Sequence, residues 1–477
     1  MVASQASRLV ILVNELRKQL GDWSRASGPL YARLASRLTD LIDEGVIPPG
    51  GMLPSERALA EALSVSRRTT EAAYDQLRSS GRVASASGCG TWSTVSASST
   101  DKTSHLRDSA LHVQYLSRGR SATIDLSIAA LPAHPLIMTA RDEVRPFVVS
   151  LQIDSHGYDV VGLEFLRAEV AAWFEMHGVP TTPEQIMISH GTVHGLWLAA
   201  QLLPRGSDIW VEQPIAPSVL MALRGQGRCL RPTPIDDGGL MIPDINGPCL
   251  TAVVVTPAYQ NPTGVCLSAS RQRKLSRLAR TGHVVIIENL ALLDMRLEGA
   301  APGTIAALAP DGDVVSAGSM SKLFWGGLRV GWLRAPKHLM SKLAQLRGAS
   351  DLGVAVDAQA QAAWLLRHRE EVLQDRVPLV RQQRNAMAEA LTELLPQFRW
   401  KMPLGGLSFW VELPESVSQN LFQMTLREGL TLLPSSEFNI QKNNESNLRL
   451  PYVHDPDSSR RAMAVLAGCY QKLTSGF

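Results

Sequence analysis

Apolar residues recur at helical spacing from Pro29 to Gly45, at Leu30, Leu34, Leu38, Leu41 and Ile42, which predicts an amphipathic helix that stops at the glycine. A turn rich in proline and glycine, Ile47-Pro48-Pro49-Gly50-Gly51, follows it. Ser55 then stands where it can cap a short helix whose inner face is Leu59, Ala62 and Leu63. Ser66 can cap a second, in which Thr70, Ala73, Tyr74 and Leu77 fall at i, i+3, i+4 and i+7. The two meet across a tight turn at Ser64-Val65. Beyond Gly81 the stretch Arg82–Val95 alternates as a hairpin would, with Gly88 and Gly90 at its tip.

From Val95 to Ala122 the chain is rich in serine and threonine with few apolar residues, so it has little to offset the entropy of ordering. After it the pattern changes. Apolar, β-branched runs at Gln185–Ser189, Asp208–Glu212, Leu250–Thr256, His283–Glu288 and Val314–Ala317 alternate with amphipathic helices, which predicts a mainly parallel sheet covered on both faces. The expected organisation is a helical extension over 1–28, a small domain over 29–95, a flexible linker over 96–122 and a large α/β domain over 123–477.

The 477 residues exceed one ordinary core, in keeping with that division. The formal net charge of +3 is too small for nucleic-acid binding through bulk charge, so such binding has to rest on a local patch. Arg67, Arg68 and Thr69 form one, at the start of the second helix of a helix-turn-helix pair, the end that reaches base edges in the major groove. The hairpin would be a wing, its glycines letting backbone approach a phosphate. Five scattered cysteines, Cys89, Cys229, Cys249, Cys266 and Cys469, show no paired spacing, which fits reduced thiols in cytoplasm. The apolar run Leu9–Val13 is too short to span a bilayer, and no membrane or export segment is expected.

Three separated motifs in the large domain carry chemistry. Ser319-Met320-Ser321-Lys322, with Arg329 and Gly331 after it, follows the strand Val314–Ala317; a lysine there could condense with an aldehyde while Ser319 and Arg329 hold a phosphate. Alone, such a string also reads as a surface lysine. Gln260-Asn261-Pro262-Thr263-Gly264 places an amide at the carboxyl end of a strand, where α/β folds bind ligands, and the strand His283–Glu288 leads into Asn289. Together, in this order, the motifs resemble a fold type I pyridoxal-phosphate (PLP) aminotransferase over about residues 123–477. The N-terminal run Leu53-Pro54-Ser55-Glu56-Arg57, Val65-Ser66-Arg67, Ala73-Tyr74 and Gly88-Cys89-Gly90-Thr91 resembles the GntR-family DNA-binding domain. The whole chain is similar to the MocR branch of that family.

The resemblance implies a winged helix-turn-helix followed by a fold type I aminotransferase-like α/β domain with a small α+β C-terminal part. It implies Lys322 as the internal aldimine lysine and Asn261 against the cofactor's phenolic oxygen, with Asn289 at the pyridine nitrogen. Ser319, Ser321 and Arg329 would surround the phosphate, joined by backbone N–H groups of Gly191, Thr192 and Val193 at a helix start. Tyr158 resembles the tyrosine that reaches the phosphate of the neighbouring subunit, and Arg449 the arginine that grips an effector's carboxylate. Arg57, Ser66, Arg67, Thr69, Ser87 and Gly88 would contact DNA. Glu71, on the exposed face of the recognition helix, departs from a phosphate-binding surface.

Other departures bear on catalysis. The family usually has Asp at the position of Asn289, an aromatic residue at Ala216 and often a tyrosine at Ala291. Asn can hydrogen-bond to the pyridine nitrogen but cannot supply charge, and Glu288 beside it points to the opposite face of a strand. His190 and His194, four apart, have no acidic or cysteine partner nearby in sequence, and no metal site is expected. The reading is therefore a homodimeric, PLP-responsive regulator that binds double-stranded DNA at paired half-sites and an amino-acid-like effector, without efficient transamination. Its rivals are an active aminotransferase with a vestigial DNA module and a regulator that has lost PLP and senses another ligand.

Overall fold

The computed structural model describes residues 13–21, 23, 29–43, 46–47, 52–80, 82–86, 90–93, 124–154, 156–245, 250–441 and 444–474. They fall into two compact units, one within 1–111 and one within 112–477. The expected linker over 96–122 and the wing residues Ser87, Gly88 and Cys89 lie outside the described residues.

In the first unit α1 (Val13–Leu20), α2 (Leu30–Asp43), α3 (Glu56–Leu63) and α4 (Arg67–Ser79) share one core. It is built from Leu16, Leu20, Leu34, Leu38, Leu41, Leu59, Tyr74 and Leu77; each such side chain contributes roughly 1.5–3 kcal/mol through burial. The caps form as the sequence predicts: Ser55 Oγ accepts from Ala58 N and Ser66 Oγ from Thr69 N, each at 3.2 Å. α4 buries Thr70, Ala73, Tyr74 and Leu77, and the Tyr74 hydroxyl donates to the Pro54 carbonyl at 2.8 Å. α3 differs in detail, burying Leu59 and Ala60 while Ala62 and Leu63 are half-buried. The turn after it covers Ala60, whose carbonyl accepts the Val65 N–H at 3.1 Å. β1 (Met52–Leu53), β2 (Val83–Ala86) and β3 (Gly90–Ser93) make an antiparallel sheet in the order β1-β3-β2.

The second unit is organised by eight strands: β5 (Ile186–Ser189), β6 (Asp208–Gln213), β7 (Cys229–Asp236), β8 (Gly239–Leu240), β9 (Thr251–Val255), β10 (Val284–Asn289), β11 (Val314–Ser319) and β12 (Gly331–Arg334). Their order is β5-β12-β11-β10-β9-β6-β7-β8. The ladders β6–β7, β6–β9, β9–β10 and β10–β11 are parallel, whereas β12 runs antiparallel to both neighbours. Burial on both faces follows the period-two rule. Val253, Val255, Val284, Ile286 and Val314 join one core, while Ala252, Val254, Val285, Ile287, Val315 and Ala317 join the other. β12 is hard to read in sequence because it is four residues long and ends on Arg334, a fully buried arginine. β7 is masked by Pro232 and Pro234 and by an exposed outer face, features of sheet margins.

The smaller, C-terminal part carries an antiparallel sheet of β13 (Arg399–Trp400), β14 (Ser408–Glu412) and β16 (Asn447–Pro451). Beside it β4 (Ile124–Asp125), the first described strand of the unit, pairs in parallel with β15 (Leu430–Thr431). The C-terminal ends of β5, β6, β9, β10 and β11 converge on the residues discussed next.

Candidate functional site

A cavity of about 290 Å³ opens where those strands end. Its wall contains Lys322, Asn261, Asn289, Ser319, Ser321, Arg329, Gly191, Thr192 and Val193 together, so residues far apart in the chain meet at one place. Ser218, Thr256 and Gly326 line it too, with apolar side chains from Ile128, Ala130, Ala216, Val219, Ala291 and Leu292.

The floor depends on a close backbone approach. A Cβ on Gly331 would lie 2.6 Å from the Gly191 Cα and 2.7 Å from the Gly318 carbonyl, so only glycine lets β12 lie against the turn that starts the helix Thr192–Ala200. Arg329 takes a left-handed backbone (φ 54°) and its Nη2 donates to the His190 carbonyl at 2.8 Å, which fixes the guanidinium beside that helix start. Such a conformation in a residue other than glycine is sterically unfavourable and is upheld by its surroundings.

Lys322 Nζ donates to the Ala129 carbonyl at 2.7 Å. Burial, and secondarily the positive charge of Arg449, lowers its pKa to about 8, which leaves a larger share of nucleophilic free amine near neutrality than an ordinary lysine has. Asn261 Oδ1 and Thr192 Oγ are buried polar atoms without a hydrogen-bond partner. An unmet buried group of this kind costs about 1–3 kcal/mol; both line the cavity and suit a polar ligand there.

Asn289 and Glu288 confirm the strand alternation. Asn289 lines the cavity and its Oδ1 accepts from Ala291 N at 3.1 Å, leaving Nδ2, a donor, for a ligand. Glu288 is fully buried elsewhere, accepting from Ser316 Oγ at 2.6 Å and Ile305 N at 2.8 Å. Burial raises its pKa despite those bonds. Behind Asn261, the buried Glu212 accepts from Thr256 N at 3.0 Å and Gln260 Nε2 at 3.3 Å, tying the end of β6 to the Asn261 turn.

Two predicted residues are not in the wall. Tyr158 is 66% exposed. Arg449, on β16, is buried; its Nη2 donates to the Ser127 carbonyl, its guanidinium lies 5.1 Å from the Phe438 ring centroid and its Nε has no partner. Sequence reasoning missed the segment Ser127–Ala130, because two of its contacts to the site come from carbonyl oxygens, which carry no side-chain signature.

His190 and His194 do meet an acid in space, Asp351, with ligand atoms within 4.8 Å of one another. However, His194 Nδ1 accepts the His190 N–H at 3.1 Å, so the neutral ring carries its proton on Nε2, 3.2 Å from Asp351 Oδ2. Burial and then Arg347 lower the pKa of His194 to about 4. Asp351 also accepts from Arg347 Nε at 3.0 Å. Of the tryptophans, Trp173 is core, donating Nε1 to Asp294 at 3.0 Å, while Trp197 and Trp410 are half-buried.

On the first unit Arg57, Ser66, Arg67 and Arg68 are exposed and Thr69 is half-buried at the start of α4. Ser66 Oγ is also 2.8 Å from Thr69 Oγ1. Glu71 is exposed one turn further on. Arg78, which the sequence did not single out, braces α4 against the hairpin, donating to Ser85 Oγ at 3.1 Å and to Asp75 at 2.6 Å. No helix among the described residues is long and apolar enough to cross a membrane.

Two family models match the chain: "Bacterial regulatory proteins, gntR family" over residues 30–92 and "Aminotransferase class I and II" over residues 124–466. The HTH-type pyridoxine biosynthesis transcriptional regulator PdxR of Corynebacterium glutamicum is 30% identical over 384 residues, 79% of this chain and 81% of that protein. The "Probable rhizopine catabolism regulatory protein MocR" of Rhizobium meliloti is 27% identical over 334 residues, 66% of this chain and 67% of that one. Among solved structures, the kynurenine aminotransferase of Pyrococcus horikoshii in complex with PMP aligns with a TM-score of 0.71 at 22% identity, over 79% of this chain and 97% of that one. The chain belongs to the MocR branch of the GntR family: a DNA-binding transcription regulator whose larger part has the fold of class I and II aminotransferases.

Proposed function

We propose that the cavity holds pyridoxal 5'-phosphate as a regulatory ligand and that its occupancy controls DNA binding by the N-terminal unit. The observation that carries this is the gathering of Lys322, Asn261, Asn289, Ser319 and Arg329 around one cavity, with the partnerless polar atoms of Asn261 and Thr192. When bound, PLP supplies an aldehyde that condenses with a primary amine and a ring that can draw electrons.

Lys322 is the amine available to that aldehyde. Ser319, Ser321, Thr192, Arg329 and the N–H groups of Gly191–Val193 would hold the phosphate, a task suited to a helix start with a guanidinium beside it. Asn261 would meet the phenolic oxygen. Asn289 offers an amide donor to the pyridine nitrogen, which stabilises the unprotonated ring and so weakens its electron demand. Ala216 and Ala291 remove ring-stacking surface. These features favour retention of a ligand over turnover.

Arg449 would bind the carboxylate of an amino-acid-like effector, and Tyr158 would complete the phosphate site of a second subunit in a cytoplasmic homodimer. That dimer would present two readers to paired half-sites, with Arg57, Ser66, Arg67, Arg68, Thr69, Ser87 and Gly88 on the DNA. The test is the absorbance spectrum after incubation with PLP. The account requires a band near the visible edge in the wild type that is lost in Lys322→Ala; a protein that stays colourless would remove PLP from the reading.

A further inference from the structure

Asp125 ends β4, and β4 is held at its edge by Ile124 N to the Gly429 carbonyl at 3.1 Å and Leu126 N to the Thr431 carbonyl at 2.8 Å. In the chain, the segment immediately before β4 leads back to the DNA-binding unit. Immediately after it the residues Ser127–Leu131 pass along the cavity. Ile128 and Ala130 put side chains into its wall. The carbonyls of the alternate residues are taken by two cations: Ser127 O by the buried Arg449 and Ala129 O by Nζ of the half-buried Lys322. Ser127 is further tied to Asp125, whose Oδ1 accepts its N–H at 2.8 Å and its hydroxyl at 2.6 Å. Past Leu131 the strap is anchored again, where the Phe324 carbonyl accepts from His134 N at 3.3 Å.

The strap is thus pinned at both ends and latched between them by Lys322, which lines the cavity, and by Arg449, which lies outside its wall. We propose that residues 126–131 are the element through which ligand occupancy reaches the DNA-binding unit, an inference that rests on the reading of the cavity as a PLP site. A ligand engaging Lys322 Nζ takes a donor away from Ala129 O, while Ser127 O keeps its bond from Arg449. The strap then exchanges a buried contact for a looser position, and it is covalently continuous with the chain leading to the reader. Ligand and strap compete for the same donor, Lys322 Nζ, and this supplies the differential interaction that any shift between two states requires.

Hydrogen–deuterium exchange on the full chain tests this, with PLP as the probe and uptake followed by absorbance in the same samples. Loading is expected to speed exchange in peptides covering 126–131 by about fivefold, the scale of one lost hydrogen bond, while β7 peptides over 229–236, which have no residue in the cavity wall, stay unchanged. Without PLP, both Lys322→Ala and the bulkier Lys322→Met should already exchange at the loaded rate in the strap and should not respond further. On a DNA site selected in vitro, those variants should show the affinity of the loaded wild type. Uptake of PLP with an unchanged or slowed strap overturns the inference and leaves the cofactor reading standing. A faster strap with no change in DNA affinity overturns the transmission role, and failure to take up PLP overturns the cofactor reading and this inference with it.

Discussion

Asn289 Oδ1 accepts the backbone N–H of Ala291 at 3.1 Å, which turns the amide so that a donor, not an acceptor, is left for the cavity. A carboxylate at 289 would keep the same turn bond and add a negative charge. Asn289→Asp is therefore expected to raise the rate of keto-acid release from amino acids by about tenfold or more, equivalent to about 1.4 kcal/mol. Single-turnover mixing of PLP-loaded protein with amino acids measures it; an unchanged rate would mean that Asn289 does not limit the chemistry.

The pKa of Lys322, lowered to about 8 from the ordinary 10.5, sets a pH dependence. Only the unprotonated amine attacks an aldehyde. Below the pKa the rate of PLP uptake should rise by about tenfold per pH unit and should level off above about 8. Stopped-flow absorbance across that range checks it, and an inflection near the ordinary lysine value would show that burial does not act on this amine as described.

Gly331 is expected to tolerate no side chain, since a Cβ would sit 2.6 Å from Gly191 Cα and both partners are backbone. Gly331→Ala should lower unfolding stability by about 1–3 kcal/mol, the usual range for overpacking, and should weaken PLP binding by displacing the helix start beside Arg329. Denaturant titration and equilibrium absorbance report the two effects separately.

In the DNA-binding unit, Arg67→Ala should weaken binding to a selected site by about 1–3 kcal/mol if its guanidinium makes a bidentate base contact. Arg78→Ala should weaken binding as well, through the loss of the brace from α4 to Ser85, but without changing base preference. Electrophoretic titration on matched and single-base-variant sites separates the two.

Much of this fold was legible in the sequence because both units obey simple periodicities. The stripe Thr70, Ala73, Tyr74 and Leu77 is buried as spaced, and the β-branched runs lie in the central sheet within a residue or two of their expected ends. The cavity wall was legible where short motifs sit at strand ends, as Lys322, Asn261 and Asn289 do. Three things were hidden for physical reasons. β12 is short and ends on a buried arginine; Asp351 joins His190 and His194 only through the fold; and the strap acts through the Ser127 and Ala129 carbonyls, which every residue type possesses.

The central claim concerns one side chain, and its most direct measurement is borohydride reduction of PLP-treated protein followed by peptide mass spectrometry. The account predicts a single phosphopyridoxyl adduct located on Lys322. An adduct spread over surface lysines with Lys322 unmodified, or no adduct at all, would contradict it.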